Sequence, residues 1–513
     1  MSKDINSITE LVALLLPVIG LFGSFLAGQK QAAKFIIFGH LTAFLFAIAT
    51  LGGALVEPAN RSPIIGQGFL QWHIDIVSCC LLVGITFIAA VIVTFSERYL
   101  GGDESRLKFL RSVSFLSFCA ATLAITDNTF VAFVCWNMLS LGLWQTMRLQ
   151  ESGRISASVV LKHHVLSDTA MLAALILVFS STGLTAFSQL PDALKSLDHP
   201  VNICGHALPL STGSMACSLL VLAFSIKSAL FPFHRWLLAT LDAPTPLSGL
   251  LHAGVVNVSA ILAWRMMPML QGHESVLLIW GTLAALSAVV GTLSMSAQPD
   301  VKRKLVYSTV GQMGFMSLQC ASGAIAAALF HLLAHGLFKS HMFLQSGSAV
   351  AEGLNKKKYG GAGQITVAEQ GTTKNKIAIM VGAFAFSAAL YAVCKDYSLS
   401  GISTAIAAAA VFCAVPTVPK VNFQSLSVFW MSILALSLVA GFACTGLEQS
   451  VEFHSSVNNW LLPLCLGVFA IISLVLRMAR RTRMAKALYV HSLNGFYIDE
   501  ISAGSRSAAR LSL

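Results

Sequence analysis

The sequence predicts an all-α polytopic membrane protein of about 13–15 transmembrane helices. Of its 513 residues, 56% are apolar and only 11% are charged, whereas soluble proteins carry about 25% charged residues. Apolar runs recur from end to end, and their length of about 20 residues is what a helix needs to cross a bilayer. Strict alternation of apolar and polar residues is absent. These observations exclude a soluble enzyme, a disordered scaffold and an outer-membrane β-barrel.

The apolar runs divide into fifteen candidate crossings, of which two contain a predicted break. Pro232 interrupts the seventh crossing, near 213–240, and the twelfth, near 375–395, ends in Lys395 and Asp396. A broken helix is tolerated in a bilayer only where its freed backbone faces protein or a wet cavity. The crossings lie near 9–27, 35–56, 76–96, 110–126, 129–148, 159–181, 213–240, 244–268, 275–296, 305–320, 321–350, 375–395, 400–419, 424–447 and 460–477.

Basic residues collect in the loops that follow odd-numbered crossings. By the positive-inside rule this places the N-terminus outside and the C-terminal tail in the cytoplasm of a multi-pass inner (cytoplasmic) membrane protein. Topology alone explains such loops, although Lys356–Lys358 and the tail also suit a partner or anionic membrane lipid. The residues that set the orientation include Lys30, Lys34, Arg98, Arg106, Lys108, Arg148, Arg154, Arg235, Lys302, Arg303, Lys304, Lys374, Lys420, Arg477, Arg480 and Arg481.

The eleven cysteines carry no metal-binding pattern. They contain no CxxC pair and no Cys/His cluster at zinc spacing. We therefore expect buried structural cysteines, no metal, no cofactor and no catalytic residue in this chain, and no nucleic-acid partner.

Ionisable residues inside the crossings are the candidate functional groups, because a charge at the bilayer centre is costly. Lys227 lies five residues before Pro232, where the helix must open and leave carbonyl groups unpaired. A lysine there can take up or release a proton as its surroundings change. The alternative is a lysine that extends its ammonium group to the membrane surface.

His331, His335 and Lys339 repeat at i, i+4 and i+8 in the eleventh crossing. This spacing stacks the three groups along one helix face, about 6 Å apart per step. The pattern favours a proton relay, since histidine titrates near neutral pH. A metal site is the weaker alternative because no carboxylate or thiolate lies nearby in sequence.

Four further ionisable residues complete a series along successive crossings. Asp168 follows His164 by four residues in the sixth crossing, and His252 lies just inside the eighth. Lys395 and Asp396 end the twelfth. Each alone is equally typical of an interhelical polar contact, but together with Lys227 and Lys339 they suit a proton or cation path.

Three long motifs resemble the signatures of antiporter-like subunits, found in respiratory complex I and in multisubunit sodium/proton antiporters. They read AFSIKSALFPFHRWLLATLDAPTPLSGLLHAGVVN, DVKRKLVYSTVGQMGFM and ALFHLLAHGLFKSHMFLQSGSAV. The resemblance implies two inverted five-helix repeats and the domains 1–100 (N-terminal helices), 101–400 (ion-translocating core), 401–480 (C-terminal helices) and 481–513 (basic cytoplasmic tail). It also implies roles in ion translocation for Lys227, Lys339, His331, His335, Lys395, His252 and Asp168.

One position departs from the family pattern. The fifth crossing reads FVCWNMLSL, with Asn137 where the family usually has a glutamate that partners the broken-helix lysine. Asn137 cannot supply that charge. We therefore expect Lys227 to lack an acidic partner and Asn137 to act only as a hydrogen-bonding guide.

Within the family, the chain most resembles membrane subunits of the DAB inorganic-carbon accumulation complex, through ERYLGGDESRLKFLRSVSFLSF, the HAGVVN segment and the ending ALYVHSLNGFYIDE. The resemblance implies a large zinc-containing, β-carbonic-anhydrase-like (DabA-like) partner on the cytoplasmic face. The membrane subunit would conduct H+ or Na+ to drive one-way hydration of CO2 to bicarbonate. Two alternatives remain open: a translocating subunit of a complex I-like or multisubunit antiporter complex, and a membrane anchor that has lost transport.

Overall fold

The computed structural model describes residues 29–358, apart from 57–63, 66, 192–198 and 204–205, together with 482–497 and five isolated positions before residue 29. The described chain is mostly helical. Its helices are α1 (Gln29–Val56), α2 (Ile76–Tyr99), α3 (Arg106–Ile125), α4 (Thr129–Met147), α5 (Gly153–Thr182), α6 (Thr212–Lys227), α7 (Arg235–Ala239), α8 (Thr245–Ala253), α9 (Val258–Gln271), α10 (Glu274–Ala297), α11 (Val301–Ala321), α12 (Ile325–Lys358) and α13 (Arg483–Leu493).

Two short antiparallel hairpins connect helices at one end of the bundle. β1 (Ile64–Ile65) pairs with β2 (Trp72–His73), and β3 (Pro200–Ile203) pairs with β4 (His206–Ser211). Several helices begin at a polar cap that the sequence supplies. The Asp75 carboxylate accepts from the Ser78 amide at the start of α2, and the Asn128 side chain accepts from the Phe130 and Val131 amides at the start of α4. Such caps satisfy amides that have no partner within the helix.

Seven helical stretches of the described residues are long and apolar enough to cross a membrane. Large apolar side chains also point outward, as at Phe38, Ile176 and Ile279, which are exposed. An apolar outer surface is unfavourable in water but is matched to lipid. The chain is therefore a multi-pass membrane protein. Each predicted crossing from 35–56 to 321–350 contains helix, whereas the crossings near 9–27, 375–395, 400–419, 424–447 and 460–477, and the predicted break in the twelfth, lie outside the described residues.

Hydrogen bonds from helices to the connecting segments define two faces of the bundle. On the first, here called the basic face, the Lys302 ammonium donates to the Ala243 carbonyl oxygen (2.7 Å) and Ser156 Oγ donates to Asp242 (2.5 Å). On the second, the hairpin face, Arg265 in the middle of α9 donates to the His73 carbonyl oxygen (2.8 Å). Among the described residues, the basic face carries the connecting segments around Arg98–Arg106, Arg148–Arg154 and Lys302–Lys304, which contributed to the predicted orientation.

α10 and α11 are packed backbone to backbone. A Cβ atom added at Gly314 would lie 2.5 Å from the Ala288 nitrogen and 2.6 Å from the Ala284 carbonyl oxygen. Only glycine permits this approach. The close contact holds the first turns of α11, which include Leu305 and Tyr307, against the centre of the bundle.

Candidate ion-conducting site

Lys227 is the last residue of α6, and its side chain is fully buried. Its ammonium group donates to the Trp136 carbonyl oxygen (3.1 Å), to Asp168 Oδ1 (3.1 Å) and to Ser140 Oγ. The ammonium nitrogen also lies 4.6 Å from the centre of the Trp136 ring. A carboxylate, two neutral oxygens and a ring face together compensate the buried charge.

Asp168 on α5 is the acidic partner of Lys227, so the expectation that this lysine lacks one is wrong. The Asp168 carboxylate also accepts from Ser140 Oγ (3.2 Å). The half-buried Asn137 instead donates from its amide to the Phe133 carbonyl oxygen on its own helix (2.9 Å). The reason is geometric: α4 presents Ser140, one turn beyond Trp136, to the ammonium group, whereas the Asn137 side-chain amide is bonded within α4.

The break predicted at Pro232 is confirmed. α6 ends at Lys227, and helix resumes only at Arg235. Side chains occupy carbonyl groups of the last turns of α6: the Trp236 indole donates to the Ile226 carbonyl oxygen (2.8 Å) and Ser259 Oγ donates to that of Phe224 (3.2 Å). The break is therefore satisfied by protein, as a broken helix within a bilayer requires.

His331, His335 and Lys339 lie on the continuous helix α12, as the sequence predicts. The rings of His331 and His335 are edge to face with centres 6.2 Å apart, and His331 Nδ1 lies 3.1 Å from Gln319 Oε1. The fully buried Lys339 ammonium donates to the Leu305 carbonyl oxygen (3.3 Å). Within the described part of the chain, no carboxylate lies within ion-pair distance of Lys339.

His252 joins this second group from α8. Its ring stacks on Phe343 of α12, with centres 4.3 Å apart and planes 9° from parallel. Lys339 is close enough to interact electrostatically with both His252 and His335. Neither ring nitrogen of His252 or His335 has a hydrogen-bond partner among the described residues. The structure therefore brings His252, His331, His335 and Lys339 together, while Lys395 and Asp396 lie outside the described residues.

A second break, which the sequence alone did not predict, separates α8 from α9. The helix is interrupted at Gly254 and continues at Val258 after a short 3-10 turn. The side-chain amide of Asn257 donates to the Ala253 carbonyl oxygen (2.7 Å). It takes the place of the helical hydrogen bond that this carbonyl would accept from the backbone amide of residue 257. A Cβ atom added at Gly336, between His335 and Lys339 in sequence, would lie 3.0 Å from that carbonyl. In the sequence, Gly254 followed three residues later by the polar Asn257, within an otherwise apolar crossing, was the signal that could have indicated this break.

The two breaks touch each other. Ser228 Oγ, just after α6, donates to the Val256 carbonyl oxygen between α8 and α9 (3.3 Å). Lys227 thus lies at the first break, while the second break follows His252 and contacts α12 at Gly336, close to Lys339. His164 lies on the Lys227 side, edge to face with Trp236, with ring centres 4.5 Å apart.

The hairpin face holds a further buried polar cluster that sequence reasoning did not identify. Arg265 donates to the His73 carbonyl oxygen, to Ser78 Oγ (2.8 Å each) and to the Ala124 carbonyl oxygen (3.1 Å). The His73 ring lies 3.7 Å from Asp75 and 4.0 Å from Asp127. Burial and Arg265 lower the pKa of His73, and the two carboxylates act in the opposite direction. In the sequence, Arg265 lies near the edge of a predicted crossing and carries no signal of these partners.

In the described ranges, no group of three or more His, Cys, Asp or Glu side chains could hold a metal ion. The cysteines among the described residues are mostly buried, as expected of structural thiols.

A helical membrane bundle with a buried lysine–aspartate pair at a helix break defines the class: this is an antiporter-like, multi-pass membrane protein. The sequence model of the NADH:quinone oxidoreductase/Mrp antiporter transmembrane family matches residues 126–418. The chain belongs to this family, and the resemblance seen in its motifs is confirmed.

Within this family, the chain is similar to inorganic-carbon transporter subunits. The chain is 35% identical over 355 residues to the probable inorganic carbon transporter subunit DabB of Bacillus subtilis. The alignment covers 68% of this chain and 66% of the relative, so the chain matches slightly less than two-thirds of the relative's length. It is 27% identical over 536 residues to the probable inorganic carbon transporter subunit DabB2 of Halothiobacillus neapolitanus. This alignment covers 97% of this chain and 94% of the relative. The fold is similar to that of the Mrp complex from Dietzia sp. DQ12-45-1b, with a TM-score of 0.58, 21% identity, and coverage of 99% of this chain and 60% of that one.

The ion pair predicts different costs for two neighbouring polar substitutions. Asp168→Asn leaves the Lys227 ammonium buried without a counter-charge, so we expect a stability loss of about 3–5 kcal/mol. Asn137→Ala removes one bond within α4 at a half-buried position, and we expect a loss of about 1 kcal/mol or less. Thermal unfolding of the purified protein in detergent compares them. A loss at Asp168→Asn as small as that expected of Asn137→Ala would show that the pair does not stabilise the fold.

Proposed function

We propose that this chain is the ion-conducting membrane subunit of an inorganic-carbon transporter. It conducts H+ (or Na+) down its gradient and so drives one-way hydration of CO2 to bicarbonate by a zinc-containing partner subunit. The observation that carries the proposal is the buried Lys227–Asp168 pair at the end of a broken helix, in a chain similar to proteins named DabB. The chain is proposed to lie in the inner membrane with its N-terminus outside.

The Lys227–Asp168 ion pair is proposed to break when the Asp168 carboxylate takes up a proton. While Asp168 is ionised, it accepts from the Lys227 ammonium and from Ser140. Protonation of the carboxylate removes the counter-charge, and the lysine then gains by losing its own proton. Ser140 and the Trp136 carbonyl oxygen hold the nitrogen in place during this change. Proton uptake by Asp168 is thereby linked to proton release from Lys227.

The group on α12 is proposed to relay the charge further. The Lys339 ammonium is held only by a backbone carbonyl among the described residues, and burying an unpaired charge is costly. This cost makes Lys339 a group that can release its proton. We assign the neighbouring His335, and then His331, which lies next to it on α12, as the groups that take the proton up in turn. The unpaired ring nitrogens of His252 and His335 are available to water molecules that would connect these groups. Lys395 and Asp396 are proposed to extend the path, with Asn137 near its beginning.

The partner is proposed to dock on the basic face, which is assigned to the cytoplasm. Lys302, Arg303 and Asp300 line an open cavity of about 390 Å³ there, beside the C-terminal helix α13. The zinc chemistry is assigned to a DabA-like, β-carbonic-anhydrase-like subunit, and this chain contributes ion flow.

The main alternative is a proton- or Na+-translocating subunit of a complex I-like or multisubunit antiporter complex. The family match and the Mrp-like fold favour it. The second alternative, a transport-inactive anchor, drew its support from Asn137. The Lys227–Asp168 pair weakens that alternative, because a costly buried ion pair is not needed to anchor a partner.

Co-expression with the large subunit tests the proposal. We expect the two chains to purify together with stoichiometric zinc, and cells that contain both to accumulate bicarbonate until a protonophore or removal of Na+ collapses the driving gradient. The chain purified alone should contain no stoichiometric zinc and should not hydrate CO2.

Two outcomes would contradict this function. Stoichiometric zinc on the isolated chain would place the metal chemistry here. Carbon uptake that is indifferent to both the proton and the sodium gradient would remove ion coupling. Ion translocation by cells that express the chain with quinone-oxidoreductase or antiporter subunits, without carbon uptake when the large subunit is supplied, would favour the main alternative.

A further inference from the structure

A small cavity lies inside the bundle beside the second helix break. Its volume is about 40 Å³. That is roughly three times the ~10–15 Å³ that one water molecule needs, so the cavity accommodates a molecule of about three heavy atoms. It is enclosed by residues of α2, α3, α4, the α8–α9 segment and α12, including Ile88, Leu116, Leu139, Ile261 and Leu332.

The lining is apolar except for two side chains. Ser117 Oγ donates to the Ser114 carbonyl oxygen of its own helix (3.0 Å). Asn257 is 1% exposed, and its amide donates to the Ala253 carbonyl oxygen, while its Oδ1 atom has no hydrogen-bond partner among the described residues. A stable buried water needs two to four polar partners, and one free acceptor does not supply them. The cavity is therefore matched to a small uncharged molecule that a lone carbonyl oxygen can attract.

We propose that this cavity binds CO2 within the membrane subunit. CO2 is linear, uncharged and has three heavy atoms. Its electron-poor carbon is attracted to Asn257 Oδ1, and its two oxygen atoms lie against the apolar walls. The inference rests on the proposed function, since it names a site for the substrate of that transport. No bond is made or broken in this cavity; it concentrates the gas that the partner hydrates.

The position of the cavity links it to both lipid and the ionisable groups. Gly84, Ala120 and Leu333 form a half-buried rim between α2, α3 and α12, through which a gas dissolved in the apolar membrane can enter. On the inner side, Leu332 and Leu333 precede His335 by less than one turn of α12, and Asn257 lies by the Gly336 contact. A molecule in the cavity therefore contacts the same break that adjoins the α12 group.

Structure determination under xenon pressure tests the cavity without reference to transport, using the intact complex. Dry apolar cavities of this kind bind xenon. We expect xenon density against Leu116, Leu139 and Leu332 in the parent protein, and its loss in Ala120→Leu, whose larger side chain fills the rim. Absence of xenon from the parent cavity would overturn the inference, even if carbon uptake is normal.

Uptake kinetics test the gas itself. A Cβ atom at Gly84 would lie 2.5 Å from Leu333 Cδ2, so Gly84→Ala displaces a side chain that lines the cavity. With Ala120→Leu, and separately with Gly84→Ala, we expect the CO2 concentration for half-maximal uptake to rise about tenfold, a loss of ~1.4 kcal/mol. The maximal rate at saturating CO2 should be retained. The matched control, Val91→Phe on the exposed side of α2, should leave both quantities unchanged.

The outcomes separate the two proposals. If the parent complex accumulates carbon and both cavity variants, present at normal membrane levels, show parental CO2 dependence, the cavity site is refuted and the proposed function stands. If the parent complex binds xenon but accumulates no inorganic carbon under any gradient, the proposed function fails and the assignment of CO2 to this cavity fails with it.

Discussion

Lys227→Met is expected to abolish ion-coupled carbon uptake, a decrease of about 10²-fold or more, which is typical of removing a group that transfers a proton. The methionine fills a similar volume but can neither carry a charge nor donate to Asp168, Ser140 and the Trp136 carbonyl oxygen. The measurement is bicarbonate accumulation by cells that express the chain with its large subunit, under an imposed pH or sodium gradient.

A second variant separates transport from folding. Lys227→Met alone leaves Asp168 without its counter-charge and should destabilise the protein by about 3–5 kcal/mol, whereas Lys227→Met combined with Asp168→Asn removes both charges and should recover most of that stability. Both variants should be inactive. Lys162→Met, which changes an exposed lysine of α5, is the matched control and should transport normally. Transport by the stable double variant would show that the pair serves the fold and not the ion.

Lys339→Met should also abolish uptake, by a similar factor, but with little loss of stability. Among the described residues Lys339 has one hydrogen bond, to the Leu305 carbonyl oxygen, and no acidic partner, so its removal leaves no carboxylate unpaired. Uptake and thermal unfolding are measured side by side with Lys162→Met, the exposed lysine of α5, which should behave like the parent.

The histidines on the same helix should be less sensitive. His331→Ala and His335→Ala are expected to reduce uptake only partly, because water can replace one member of a relay. Full uptake by Lys339→Met would refute a path along α12. Equal, complete losses at all three positions together with unfolding would instead indicate that the group holds α12 in place.

The sequence by itself determined the class of the protein and the positions of most helices between residues 29 and 358. Composition and run length are sufficient for this, because a bilayer demands about 20 apolar residues per crossing whatever the packing. The break at Pro232 was also predictable, since proline cannot donate the hydrogen bond that a continuing helix needs. So was the alignment of His331, His335 and Lys339, which depends only on the period of one helix.

Only the tertiary structure decided which groups meet. Asp168 and Lys227 are 59 positions apart in sequence, yet their side chains are in contact because α5 packs against α6. The break at Gly254 depends on the close approach of Gly336 and on the Asn257 amide, neither of which a local pattern reveals. Arg265 reaches His73, Ser78 and Ala124 across 141–192 positions. Helix propensity and hydropathy act over a few residues, whereas the pairing of buried charges is settled by which helices are neighbours, and that is a property of the packed bundle.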